Sequence, residues 1–207
     1  MTVVVNKPLP EFEALATGNE SLSNQSLIGQ TVVLYFYPKD NTPGCTTEAM
    51  QFRDKYKDFV KAGATVYGVS RDNMKSHDDF KEKLELPFEL IADTEEKMCH
   101  MFGVVKNKIM YGKKVKGIER STFLVGADGV LKQEWRGLKV PGHVEEVLKA
   151  VKAKVVEVEV VQEDVVELQV VQPLVAEAND VEVNVIEVQL AVATMEIANL
   201  ANFAWHA

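Results

Sequence analysis

Hydrophobic runs and polar breaks divide the first 153 residues into alternating strand and helix signals. Thr31 to Tyr37 (TVVLYFY) is a short β-branched and aromatic run that predicts a buried strand. Pro38 ends it, and the following KDNTPG supplies breaker residues. Beyond Cys45, the apolar residues Ala49, Phe52, Tyr56, Phe59 and Val60 fall at offsets 0, 3, 7, 10 and 11, one face of a helix that Gly63 stops. Ala64 to Val69 predicts a second strand, Asn73 to Leu84 a polar amphipathic helix, and Pro87 to Ile91 a third strand. Asp93-Thr94 with Glu96 opens a short helix that contains Cys99. Ser121 to Val125 and Val130 to Trp135 flank Gly126-Ala127-Asp128-Gly129 and predict an antiparallel hairpin. Pro141 to Lys152 predicts a final helix, and the glycine- and lysine-rich Gly103 to Gly117 a long loop or small hairpin. Alternation followed by a hairpin implies an α/β domain with a mixed sheet and helices on both faces.

The pattern changes after residue 153. Val-Val doublets begin at 155, 160, 165 and 170, and a spacing of five matches neither helix nor strand. Charge changes at the same place. Residues 1–153 hold 22 basic and 21 acidic groups, whereas residues 154–207 hold one lysine and ten acids, so the domain carries +1 and the tail −9 of the net −8. The expected organisation is a domain over 1–153 and an acidic, valine-rich extension over 154–207, read either as low-complexity and disordered or as a small appended module. Neither part has the basic excess that nucleic-acid binding requires. No apolar stretch is long enough for a membrane span, and Met1 to Pro10 lacks the form of a secretory signal. Two cysteines, Cys45 and Cys99, far apart in the chain, argue against a disulfide scaffold and for a reducing, cytoplasmic setting. The four histidines show no paired ligand spacing, so no metal is expected.

Cys45 is placed for nucleophilic chemistry. Thr42 suits an N-cap and Pro43 the first helical position, which sets Cys45 in the first turn, over unpaired backbone N–H groups and the positive end of the helix dipole. A free thiol with a pKa of about 8.5 is only roughly 3% ionised at pH 7. Moving such a thiol to about 6 needs on the order of 3.4 kcal/mol. A helix end supplies perhaps 1–2 kcal/mol of that. A second positive group is therefore expected, and an arginine brought in by folding is the best candidate.

The run Tyr35 to Glu48 (YFYPKDNTPGCTTE) closely resembles the peroxidatic loop of peroxiredoxins, whose pattern is Pro-x-x-x-Thr-x-x-Cys. Together with Phe52 to Asp54 (FRD), Val66 to Asp72 (VYGVSRD), Phe102 to Val104 (FGV) and Arg120 to Val125 (RSTFLV), it resembles the PrxQ subfamily, also called bacterioferritin comigratory protein, over about residues 5 to 150. The resemblance implies a thioredoxin-like fold and a thiol-dependent peroxidase that needs no cofactor. It implies that Cys45 attacks hydrogen peroxide or an organic hydroperoxide and becomes a sulfenic acid. Thr42 would present its hydroxyl to the peroxide, Arg120 would stabilise the thiolate and polarise the O–O bond, and Pro38 would shape the pocket wall. The backbone N–H groups of Gly44 and Cys45 would hold the second oxygen.

The chain departs from the family at the resolving cysteine. PrxQ-like proteins carry it five residues after the peroxidatic one, here Met50, or on the following helix near Lys81. Two routes of recycling follow. An external thiol (thioredoxin, a glutaredoxin or glutathione) attacks the sulfenic acid in a one-cysteine cycle, or Cys99 resolves it within the chain or across a dimer. A monomer or weak dimer is expected. Among other classes, a thiol-disulfide oxidoreductase would want a C-x-x-C pair, whereas Thr46-Thr47-Glu48 follows Cys45. A redox-sensing binding protein or chaperone would use the tail as its interaction surface.

Overall fold

A computed structural model describes residues 2–110 and 113–153. The tail expectation at 154–207 lies outside the described residues. The domain is a seven-stranded mixed sheet in the order β2-β1-β5-β4-β3-β8-β9, with a separate two-stranded ribbon, β6-β7. The strands are β1 Glu13–Ala16, β2 Glu20–Ser23, β3 Thr31–Phe36, β4 Ala64–Ser70, β5 Glu89–Ala92, β6 Val105–Met110, β7 Lys113–Ile118, β8 Ser121–Val125 and β9 Leu131–Arg136. The helices are α1 Pro43–Lys61, α2 Met74–Leu84, α3 Lys97–Met101 and α4 over residues 143–153.

β3, β4 and β5 run parallel, and β8 joins β3 from the other side antiparallel. A parallel pair needs a crossover, and α1 and α2 supply the two crossovers. Both step the same way across the sheet, so a single handedness puts both helices on one face. Side-chain alternation along β3 shows the two faces directly. Val33, Tyr35 and Tyr37 pack with Cys45, Ala49, Phe52 and Phe59 of α1, Phe80 of α2, and Val144, Val147 and Val151 of α4. Val32, Leu34 and Phe36 face the other way, into a core with Met98 and Cys99 of α3, Phe102 at its C-terminal cap and Ile118 of the ribbon. Covered on both faces, β3 carries apolar side chains without alternation, as a central strand of this kind should.

The elements read from sequence are present with small shifts at their ends, and Gly103 to Gly117 holds the ribbon. Two strands escaped the reading. β1 and β2 are four residues each and carry no β-branched residue, so their pairing, not their composition, makes them strands. Val60 also departs from expectation, being 54% exposed at the end of α1 rather than on its buried face.

One glycine allows the core beneath the site. A Cβ at Gly68 on β4 would lie 2.7 Å from Tyr35 Cζ and Oη and from Leu90 Cδ2. The missing side chain lets the Tyr35 ring lie over β4, where it stacks on Phe52 of α1 at 4.5 Å. The first turns of α1 thereby rest on a rigid aromatic platform.

Candidate active site

β3 ends at Phe36, and the chain turns through Pro38 to Asn41 before α1 begins. Asn41 takes a left-handed conformation (φ 56°), which a short polar side chain tolerates. Thr42 stands at the N-cap position in extended geometry, with Pro43 next. Its hydroxyl does not cap the helix as the sequence suggested. It donates back to the Lys39 carbonyl at 3.0 Å, while the Thr42 carbonyl accepts the Thr46 N–H. The hydroxyl proton is thus committed, and the oxygen keeps lone pairs for another donor. Pro38 and Thr42 are half-buried, and Gly44 is exposed at the helix mouth.

Cys45 is 2% exposed, on the inward face of the first turn. Arg120 reaches it from the residue before β8. The register pairs Phe36 with Ser121, so one step further along the antiparallel pair sets Arg120 at the edge where the Pro38–Thr42 loop leaves the sheet. Arg120 Nη2 donates to Cys45 Sγ at 3.2 Å. A Cβ at Gly44 would lie 3.4 Å from the same Nη2, so the guanidinium packs directly against the Gly44 backbone.

The other arm of the fork, Arg120 Nη1, donates to Glu48 Oε2. Glu48 is one turn along α1 from Cys45 and fully buried, and among the described residues its Oε1 has no hydrogen-bond partner. Burial drives its carboxyl up to about 7, against the lowering pull of Arg120. Burial also works against the Arg120 cation, but Glu48 and the Cys45 sulfur more than offset it and hold the guanidinium above its ordinary pKa. Sequence reasoning missed Glu48 as a site residue. Its signal was a lone acid three residues from Cys45, beside the otherwise apolar Ala49 and Phe52.

Glu48 competes with the sulfur for one cation, which leads to a prediction. An acid raised from 4.5 to about 7 in the fold stabilises it fully below pH 4.5, and that stability drains away as pH climbs through 7. Glu48→Gln keeps an oxygen acceptor for Arg120 and removes the titration. Chemical denaturation should show the variant gaining on the wild type between pH 5 and 8, by about 3 kcal/mol at most. At pH 8 iodoacetamide should also alkylate its Cys45 faster, by roughly threefold or more. A stability difference that stays flat over this range would show that Glu48 does not titrate there.

The structure does not bring Cys99 to Cys45. Both thiols are free. Cys99 is fully buried on α3, on the opposite face of the sheet from Cys45, and its backbone N–H donates to Asp93 Oδ2 at 2.6 Å. Burial, then the Asp93 carboxylate, push its thiol far up. A disulfide tolerates Cα separations of up to about 7 Å, and a β-sheet stands between these two. Met50 is 37% exposed on α1, and Lys81 forms an ion pair with Glu89 of β5.

His143 is buried at the start of α4, with Nε2 2.8 Å from Thr122 Oγ1. Burial pulls its pKa down to about 4; Arg120 adds to this and Glu146 opposes it.

Comparison with known proteins agrees with this geometry. The AhpC/TSA family profile matches residues 5–134. A putative peroxiredoxin bcp of Coxiella burnetii is 47% identical over 148 residues, which is 72% of this chain and 98% of that protein. Peroxiredoxin Bcp of Xanthomonas campestris is 50% identical over 137 residues, covering 66% and 86%. Among solved structures, the Xanthomonas campestris bacterioferritin comigratory protein, studied for its alkyl peroxide reduction activity, superposes with a TM-score of 0.67 at 46% identity, covering 70% of this chain and 92% of that one. A helix-mouth cysteine under an arginine, on a sheet of this topology and with relatives this similar over most of their length, makes the chain a member of the AhpC/TSA family and, within it, a thiol-dependent peroxidase of the Bcp/PrxQ peroxiredoxins.

Proposed function

We propose that Cys45 is the peroxidatic nucleophile, that it reduces hydrogen peroxide and organic hydroperoxides, and that an external thiol recycles it. The observation that carries this is the 3.2 Å contact between Cys45 Sγ and Arg120 Nη2 at the first turn of α1. The thiolate attacks one peroxide oxygen and the O–O bond breaks. The other oxygen leaves as alkoxide or hydroxide and takes up the proton the thiol gave up, so the products are a Cys45 sulfenic acid and an alcohol or water. Arg120 faces both the sulfur and the charge that develops on the leaving oxygen. Thr42 Oγ1, whose own proton is engaged by Lys39, accepts the hydroperoxide O–H. The N–H groups of Gly44 and Cys45, which lack intrahelical acceptors, hold the second oxygen, and Pro38 forms part of the wall. The relative studied for alkyl peroxide reduction supports the organic substrate.

The burial of Cys99 behind the sheet, with Met50 and Lys81 at the alternative positions, favours a one-cysteine cycle. A first external thiol attacks the sulfenic sulfur, releases water and leaves a mixed disulfide. A second thiol then frees Cys45 and departs as the oxidised reductant. Thioredoxin, a glutaredoxin or glutathione in a reducing cytoplasm would serve. One equivalent of peroxide followed by a sulfenic-acid trapping reagent should label Cys45, and non-reducing mass spectrometry should find no Cys45–Cys99 peptide. Abundant Cys45–Cys99 peptide would overturn the one-cysteine cycle, and absence of label on Cys45 would overturn the nucleophile.

A further inference from the structure

The loop that carries Pro38 and Thr42 is held by a buried ionic cluster that none of the chemistry above uses. Asp40, in the middle of that loop, is 4% exposed, although its charge would favour water. Its Oδ1 accepts from Tyr37 Oη at 2.7 Å, and its Oδ2 from Ser76 Oγ at 2.7 Å and His77 Nδ1 at 2.9 Å. Its backbone N–H donates to Asp72 Oδ2 at 2.8 Å, which also accepts from Ser70 Oγ. His77 is fully buried on α2, and its other nitrogen, Nε2, faces the Ile91 carbonyl of β5 at 3.1 Å. A carbonyl only accepts, and the carboxylate accepts too, so both ring nitrogens face acceptors. Burial alone would raise the Asp40 carboxyl; His77, Tyr37 and Ser76 outweigh it and hold it below its ordinary value. A second tie runs from Lys83 Nζ to Asn41 Oδ1 at 2.9 Å.

These contacts hold the two sides of the site through separate sets of hydrogen bonds. The sulfur is held by Arg120, just before β8, with Glu48 of α1, and among the described residues neither of them hydrogen-bonds to the cluster. The loop is held by α2 and β5 through His77. We infer that Asp40 and His77 are positioning residues for peroxide reduction, locking the Pro38–Thr42 loop at the height where the Thr42 hydroxyl and the first-turn N–H groups meet a peroxide seated on Cys45. This inference rests on the proposed role of Cys45. Misplacement by about 1 Å costs an oriented reaction as much as 10²-fold, whereas a reagent that needs only the thiolate is indifferent to the loop.

The test compares two reactions of Cys45 in the full-length chain, oxidation by hydrogen peroxide and alkylation by iodoacetamide. Asp40→Ala and His77→Ala should slow oxidation by about tenfold or more and change alkylation by less than about twofold. Asp40→Asn should rescue. Its amide oxygen still accepts from Tyr37, and its NH₂ can donate to a neutral His77 that keeps the Nε2–H bond to Ile91, so oxidation should stay within about threefold of wild type. Ser76→Ala removes one bond from a half-buried position and should slow oxidation by about threefold with alkylation unchanged. It decides the matter if the alanine variants at 40 and 77 do not fold. A parallel fall in both reactions, or oxidation unchanged in Ser76→Ala and in whichever alanine variants fold, would overturn the positioning role. A wild-type protein that alkylates at Cys45 yet forms no sulfenic acid there would instead sink the nucleophile assignment.

Discussion

Cys45→Ser is expected to reduce peroxide consumption to the uncatalysed rate with every reductant offered. Serine fills nearly the same volume, and its oxygen still accepts from Arg120, so the pocket and the Arg120–Glu48 pair should survive. What disappears is the ability to ionise. A thiol ionises far more readily than an alcohol, and an alcohol lies far outside the reach of one arginine and a helix end. The lost sulfur also takes away the soft orbital that accepts oxygen to give a sulfenic acid. Loss of a nucleophile commonly costs a factor on the order of 10⁶, more than enough to reach background here. Peroxide loss should therefore be measured with thioredoxin, glutaredoxin and glutathione in parallel, with circular dichroism to establish that the variant is folded. Residual turnover under any of them would mean that another group, Cys99 included, carries the chemistry.

Arg120→Met comes second in size, at a loss of roughly 10²- to 10³-fold in oxidation rate, the range seen when one donor is removed from a charge-stabilising site. Methionine keeps the length and much of the packing and deletes both arms of the fork. The Cys45 sulfur then loses its 3.2 Å donor, and Glu48 is left buried without the Arg120 cation beside it. Glu48 should respond by holding its proton to still higher pH, because only Arg120 offsets the burial that already places it at about 7. Alkylation of Cys45 at neutral pH should fall with the oxidation rate, since Arg120 acts on the sulfur itself. The positioning variants are expected to do the opposite and separate the two rates. Arg120→Lys should recover only part of the activity, because a single ammonium does not span the sulfur and the carboxylate as the planar fork does. Full activity in Arg120→Met would remove the electrostatic basis of the proposed mechanism.

Much of this was legible in the chain alone. A buried strand, a breaker-rich turn, Thr42-Pro43 and an amphipathic run dictate that Cys45 opens a helix, because each of those signals is local. The alternation of elements and the hairpin glycines dictate a mixed α/β sheet for the same reason. β1 and β2 were not legible, since four-residue segments of weak propensity become strands only when partners satisfy their backbone.

The chemistry of the site divides along the same line. The sequence by itself determined which sulfur stands at a helix mouth and that it needed a distant cation. The family resemblance pointed to Arg120, but only the tertiary structure decided which atoms meet the sulfur, because Arg120 is 75 positions away and arrives through the register of β8 on β3. The same holds for Glu48, whose position on α1 was readable while its burial and proton affinity were not. His77 shows it most plainly. It sits in the helical stripe with Phe80 and Leu84, where it looks like an odd polar residue on a buried face. Its partner Asp40 is 37 residues earlier in a loop, and only packing α2 over the end of the sheet turns two separate charges into one buried pair. Periodicity reports what a segment does with its own neighbours, whereas electrostatics inside a protein depends on which segments the fold brings within a few ångströms of each other.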